Sequence, residues 1–259
     1  MVDFLAVNRD HWDDRADVHA RSRHYDLDRV VAHGPAPIAG PDEGEVGPVA
    51  GRSLLHLHCH LGTDSVRWAA LGADVTGVDV SGRSVGIARE LAGRLGLAAT
   101  FVQADVHDLP WLLDRRFDIV YASYGVICWV PDMGRWARVA AGFVRPGGFF
   151  YLAEGHPIDM VFDPDRFGRT GYFDRGARRY VDRRSYTDGD DPIPRPENYR
   201  WAHTLGDVVT AVAGAGLRIE FLHEHPLPGG ADDAGLAERR RLVPEGAPAL
   251  FSLRAARPR

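Results

Sequence analysis

Between residues 53 and 155, short apolar runs alternate with stretches of helical length. LLHLHC (54–59) precedes a helical stretch at 63–71, and DVTGVDV (74–80) precedes one at 84–95. ATFVQAD (99–105) follows, then FDIVYASY (117–124), a helical stretch at 132–144, and FFYLAEG (149–155). Continuous apolar runs of this length are strands buried on both faces. Helices between them join such strands through right-handed crossovers into a parallel sheet. Pro146, Gly147 and Gly148 supply the turn from the last of these helices into its strand. With 259 residues, 45% of them hydrophobic, the chain can fill the core that such a sheet needs, which excludes a disordered chain.

The remainder is arranged around that core. Residues 8–24 read as a helix with Asn8 as N-cap, and 33–51 as a Gly- and Pro-containing connector. Residues 155–203, rich in Arg, Asp, Tyr and Pro, break the rhythm and read as an insertion with short β segments near 170–174 and 179–186. Thr204 and Asp207 form a capping-box start for a helix to about 214. RIEFLHEH (218–225) and ALFSLRA (249–255) lack a long crossover helix between them, so they are expected as an antiparallel pair at the sheet edge. The expectation is one unit over 1–259: an N-terminal helix and connector acting as a lid (1–50), a core (51–155), a covering insertion (156–203) and a final helix with a strand pair (204–259).

Composition removes several function classes. No apolar run approaches the roughly 18 residues of a membrane span, and the first residues lack the regions of a signal peptide. Cys59 and Cys128 are the only cysteines, which points to a reducing cytoplasm. A net charge of −5 argues against a nucleic-acid partner. All 31 basic residues are Arg, so a Schiff-base lysine and a P-loop lysine are both excluded.

In an open parallel sheet, ligands bind beyond the carboxyl ends of the strands, where strand order reverses. Here the first strand ends in HLHCHLGTD, the second in Asp79, the third in Ala104-Asp105 and the fourth in Ser123-Tyr124-Gly125. Asp79 lies 17 residues beyond Gly62, near the spacing at which an acid accepts from a ribose diol. A nucleoside suits this edge, with one acid on the ribose and a second on the adenine amino group. Either Asp can instead simply cap the helix that follows it.

With these features, residues 53–155 resemble the class I S-adenosylmethionine-dependent methyltransferases: strand–turn–helix, an acid after strand two, Asp after strand three, and RPGGFFYLAEG at strand five. NRDHWDDRADVH and FDIVYASYGVICWVPD are similar to the bacterial small-molecule branch, and 204–255 match more loosely. The resemblance implies a Rossmann-like doubly wound sheet of seven mostly parallel strands, the last antiparallel, with S-adenosyl-L-methionine as methyl donor and no metal. It places the donor against His58, Cys59, His60, Gly62, Asp64, Asp79, Val80, Ser81, Ala104, Asp105, Val106 and Ser123. Asp79 would hold the ribose hydroxyls, and Asp105 with Val106 would sit at the adenine. Trp12 and Tyr25 would close over the site, although Trp12 can equally anchor its helix to the core.

The family's first loop normally reads Gly-x-Gly-x-Gly; here His58 and His60 replace the first two glycines and Gly62 keeps the third. Either the loop takes another path, or these histidines turn away from the methionine moiety, or one donates to its carboxylate. His56, His58 and His60 alternate, and His-x-His at a strand end also begins metal sites, with His107 and His156 in reach along the edge. A metal-dependent hydrolase is therefore a second reading. Against it, His56 lies deep in a buried strand. A nicotinamide dehydrogenase weighs less, because histidines suit a pyrophosphate loop poorly. A donor-binding protein without turnover is the remaining class.

Methyl transfer needs alignment, exclusion of water and sometimes a base. His156 and His203 are the candidate bases or orienting groups and Tyr124 a pocket wall, for a small-molecule acceptor such as a metabolite or natural-product intermediate. Trp129 is expected to pack rather than bind. In the insertion, Arg166, Arg169, Arg175, Arg178, Arg179, Arg183 and Arg184 can hold an anionic acceptor, but pairing with Asp163, Asp165, Asp174 and Asp182 is the simpler expectation. Phe162, Phe167, Tyr172, Phe173, Tyr180 and Tyr186 are expected to form an apolar wall.

Overall fold

The computed structural model describes residues 2–38, 40–162, 171–226, 244 and 246–259. The expected Asp163, Asp165, Arg166, Phe167 and Arg169 lie outside the described residues.

The alternating runs form strands β1 (Ser53–Leu57), β2 (Asp74–Asp79), β3 (Ala99–Gln103), β4 (Phe117–Ser123) and β5 (Val144–Gly155). They are separated by α4 (Thr63–Ala70), α5 (Gly82–Leu95), α6 (Leu109–Leu112) and α7 (Met133–Phe143). Ahead of them lie α1 (Phe4–Arg21), α2 (Leu27–His33) and α3 (Asp42–Val46), and after them the single turn α8 (Asp159–Phe162). The ribbon β6 (Arg178–Val181) and β7 (Glu197–Arg200), α9 (Leu205–Gly214), β8 (Arg218–Pro226) and β9 (Pro248–Ala256) complete the order.

Seven strands form one sheet in the order β3-β2-β1-β4-β5-β9-β8. β9 is antiparallel to both of its neighbours, and the other adjacent pairs are parallel. The order reverses between β1 and β4, so a crevice opens beyond their carboxyl ends. Leu54, Leu55 and Leu57 of β1 are fully buried between helices on both faces, which is why the strand reads as a continuous apolar run.

Several local expectations are corrected. The first helix begins at Phe4 with Asp3 as its cap, which accepts from the Ala6 amide. Asn8 is instead buried inside the helix, where its carboxamide exchanges two 2.8 Å hydrogen bonds with the main chain of Tyr199, as an extra strand would. Tertiary pairing thus overrides the local capping preference of Asn. The connector contains the five-residue α3. The Gly147–Gly148 turn is a register shift within β5, between pairs Phe117–Val144 and Ile119–Phe149. The capping box at Thr204 and Asp207 is present. In the insertion, 171–174 is not a strand, and β6 pairs with the unexpected β7. Both cysteines are free, and among the described residues no helix is long and apolar enough to cross a membrane.

Candidate active site

A cavity of about 1070 Å³ opens over the β1–β4 crevice, roofed by α1 and by the β6–β7 ribbon with its connecting loop. Its floor is the first loop after β1. His58 and His60 adopt φ values of 57° and 48°, and Gly62 one of 75°. The loop therefore bends through the left-handed region that glycines reach without strain, and the histidines accept a modest conformational cost there. Glycine is required only at Gly62, where a Cβ would come within 2.8 Å of the Ala88 methyl.

The two rings are turned aside and held. The Trp136 indole donates to His58 Nε2 at 3.0 Å, and His60 Nε2 shares a 2.7 Å hydrogen bond with His19 Nδ1 of α1. His56 is buried beneath them against Ser65 and Tyr121. The three rings thus bond in three different directions. Among the described residues, no three His, Cys, Asp or Glu side chains gather with metal-binding geometry. Burial lowers His56 to about 3, His58 to about 4 and His60 to about 3, so all three are neutral at pH 7.

Three carboxylates face this floor. Asp79, at the end of β2, accepts from the His60 amide at 2.8 Å and the Ser81 amide at 2.9 Å, one on each oxygen. Burial raises it to about 6. Asp64, in the first turn of α4, accepts from the Ser123 hydroxyl at 3.1 Å and is likewise raised to about 6 by burial. Asp105 follows β3. Burial pushes it up, but hydrogen bonds from His107 outweigh that and leave it below the usual carboxylate range. Cys59, Val80, Ala104 and Val106 line the same floor. Gly62 and Ser81 do not reach it; Ser81 caps α5 and donates to Asp13.

The roof carries Trp12 and Tyr25, with ring centroids 5.1 Å and 5.4 Å from that of His60. Trp12 also meets Trp129 edge-on at 5.1 Å, and Trp129 lines the cavity instead of only anchoring α7.

The expected acceptor-side residues are largely elsewhere. His156 lies off the cavity wall, its Nδ1 accepting from the Ile158 amide and its Nε2 donating to Glu224 at 2.9 Å. His203 is buried behind the wall, donating to the Val130 carbonyl at 2.7 Å. Neither ring lines the cavity. Tyr124 lines the cavity, but its hydroxyl donates to Asp42 at 2.7 Å, and burial beside that carboxylate drives its ionisation far up, so it is no base. Of the described aromatics expected to form the wall, only Tyr186 lines the cavity, whereas Phe173 is 77% exposed. Arg175, Arg178, Arg179 and Arg184 pair with Asp207, Asp174, Glu197 and Asp190, and only Arg184 of these reaches the cavity.

Two features were missed. Glu154, buried at the end of β5, accepts from the amides of Gly125, Val126, Ile127 and Gly155, and so fixes the loop after β4. Its signal was available as an acid closing an apolar run, the same pattern as Asp79 and Asp105. Arg15, Asp182 and Arg200 meet in the roof from distant parts of the chain, and no local pattern announces them.

The family described as Methyltransferase domain matches residues 55–152. A ubiquinone biosynthesis O-methyltransferase from Methylobacterium sp. (strain 4-46) is 34% identical over 121 residues, 47% of this chain and 45% of that protein. One from Bordetella avium (strain 197N) is 32% identical over 118 residues, 45% and 48% of the two chains. The chain thus spans about half the length of the curated relatives it matches. An S-adenosylmethionine-dependent methyltransferase from Mesorhizobium loti superposes with a TM-score of 0.57 at 23% identity, over 83% of this chain and 95% of that one. One from Clostridium acetobutylicum gives 0.55 at 12%, over 80% and 84%. These two likenesses concern the fold. Residues 55–152 thus carry the methyltransferase domain match, within a sheet whose fold is like that of these two solved structures.

Proposed function

We propose that the protein transfers a methyl group from S-adenosylmethionine to an oxygen or nitrogen of a small organic acceptor. The observation that carries this is the placement of Asp79, Asp105 and Asp64 around one cavity, at the ends of β2 and β3 and beside β4. The site fits the donor on its own chemistry. The Asp79 carboxylate accepts from the His60 and Ser81 amides on its two oxygens, and its remaining lone-pair capacity suits a ribose hydroxyl. Asp105 with Val106 would take the adenine, and Asp64 with Ser123 would take the ammonium of the amino-acid end. The first loop bends as glycines would, and about 1070 Å³ exceeds the roughly 300–1000 Å³ of a typical single-ligand pocket.

When bound, the donor would supply a sulfonium-activated methyl carbon, leaving as S-adenosylhomocysteine while the acceptor's proton is released. The chain's contribution is then alignment and exclusion of water. Trp12 and Trp129 close the roof edge to face. His58 and His60, held neutral, place no like charge beside a sulfonium. The relatives named for O-methylation favour oxygen as the receiving atom.

Calorimetric titration of chelator-treated protein with S-adenosylhomocysteine tests this reading. Micromolar binding, abolished in Asp79→Ala, is the expected result. No heat from either S-adenosylhomocysteine or S-adenosylmethionine overturns it.

A further inference from the structure

The roof of the cavity holds an unbalanced charge. Arg15 of α1 and Arg200 of β7 both donate to Asp182 Oδ2, Arg15 at 2.7 Å. The two arginine side chains are only 6% and 13% exposed. Among the described residues, Asp182 is the only carboxylate within 4 Å of either guanidinium. His11 lies 3.9 Å from the same carboxylate but is neutral, lowered to about 4 by burial and by Arg15. Two cations therefore share one anion, and the Nε atoms of both arginines are buried without a partner. A buried charge lacking a counter-charge is costly, and a native fold keeps it where a ligand supplies the missing anion.

The surroundings say what kind of anion. Arg15 sits over the Trp12 ring at 5.1 Å, and Arg200 sits between Trp129 at 5.0 Å and Tyr180 at 4.6 Å. The rings orient the guanidinium planes, and Trp12, Trp129 and Tyr186 present apolar surface to the cavity beside them. A flat molecule with a carboxylate at one end matches both features. Arg200 stands in β7 of the inserted ribbon and Asp182 directly follows β6, both outside the 55–152 domain that carries the donor-side acids. We propose that Arg15 and Arg200 bind the carboxylate of the methyl acceptor, and that the acceptor is a planar, aromatic organic acid. This rests on the methyltransferase reading above.

The test titrates S-adenosylhomocysteine first, and then salicylate or its neutral analogue salicylamide into protein saturated with it. The wild type is expected to prefer salicylate by tenfold or more. Arg200→Gln and Arg15→Gln are expected to erase that preference while changing S-adenosylhomocysteine affinity less than twofold. The wild-type ratio needs no variant, so a variant that fails to fold leaves the test intact. Equal binding of the two probes, binding of neither, or a preference that survives both substitutions overturns the proposal. A tenfold loss of S-adenosylhomocysteine affinity in Arg200→Gln also overturns it, because the arginines would then hold the donor's own carboxylate. Failure of the wild type to bind S-adenosylhomocysteine discards the methyltransferase reading, and this proposal with it.

Discussion

The backbone amide of His60 donates to Asp79 Oδ2 at 2.8 Å, so the loop after β1 is tied to the acid that ends β2. His60 makes this bond in a left-handed conformation, φ 48°, where the loop bends over the end of β2. The same residue's ring reaches up to His19 in the roof. One residue thus shapes the floor through its backbone and ties it to the roof through its side chain.

These roles separate by substitution. His60→Gly keeps the conformation at no strain, so S-adenosylhomocysteine affinity is expected within about threefold of wild type. Its lost ring frees α1, and limited proteolysis within residues 4–33 is expected to accelerate. His60→Val cannot adopt this φ cheaply and is expected to lose about 1–3 kcal/mol of stability together with donor binding. Equal donor affinity in the Gly and Val variants would refute the conformational argument.

Donor affinity should depend on pH through Asp79 and Asp64. Burial raises both to about 6, and hydroxyl and ammonium donors require the ionised forms. Below that value a proton must leave before the ligand binds. Affinity for S-adenosylhomocysteine is therefore expected to be flat above about pH 7 and to fall as pH drops through 6, by up to tenfold per unit for each acid. Asp79→Asn should bind weakly throughout and show a shallower slope. Titrations at pH 7.5 and about 5 giving equal wild-type affinity would remove these two acids from the donor site.

The sheet was legible because parallel strands buried on both faces leave an unmistakable run, as in Leu54–Leu57, and because Asp79 and Asp105 close such runs. What failed was anything decided by tertiary partners. Asn8 looks like a cap until the main chain of Tyr199, 191 residues away, claims its carboxamide. His156 and His203 stand at suitable places along the chain, but neither lines the cavity, and one ring nitrogen of each is taken by Glu224 or Val130. Arg200 was passed over among many arginines because its neighbour Arg15 lies on another element. The His58 and His60 departures were visible as residues, whereas the path of their loop depends on Trp136 and His19 beside them.

Glu154→Gln should separate loop order from donor binding. The carboxylate receives four amide hydrogen bonds, three of them from the loop after β4 that leads into Trp129. An amide nitrogen in place of one oxygen leaves buried N–H groups facing a donor, at about 1–3 kcal/mol each. Stability is expected to fall by about 3 kcal/mol in urea unfolding. S-adenosylhomocysteine affinity should change little, while affinity for the acceptor side drops, because Trp129 loses its support. Unchanged stability would mean that the loop is held by other contacts.

Acid should unfold the protein early, and the sign follows from the histidines. Burial lowers His11 and His58 to about 4, His56 and His60 to about 3, and His19 to about 2. Neighbouring cations and imidazoles add to the fall for His11, His19, His56 and His60. Groups whose folded pKa lies below the unfolded value of about 6.5 contribute their full stability above that value. They lose it as pH falls, because the unfolded chain takes up protons that the folded chain refuses. Asp64 and Asp79, raised to about 6, act in the opposite sense, taking up protons in the folded state before the unfolded one does. Near pH 5 the five histidines outweigh the two acids by about three protons, or roughly 4 kcal/mol per pH unit. Urea midpoints should therefore drop steeply between about pH 6.5 and 4.5, and more shallowly in His19→Phe. A midpoint that holds steady over this range would show that the histidine cluster is hydrated and titrates normally.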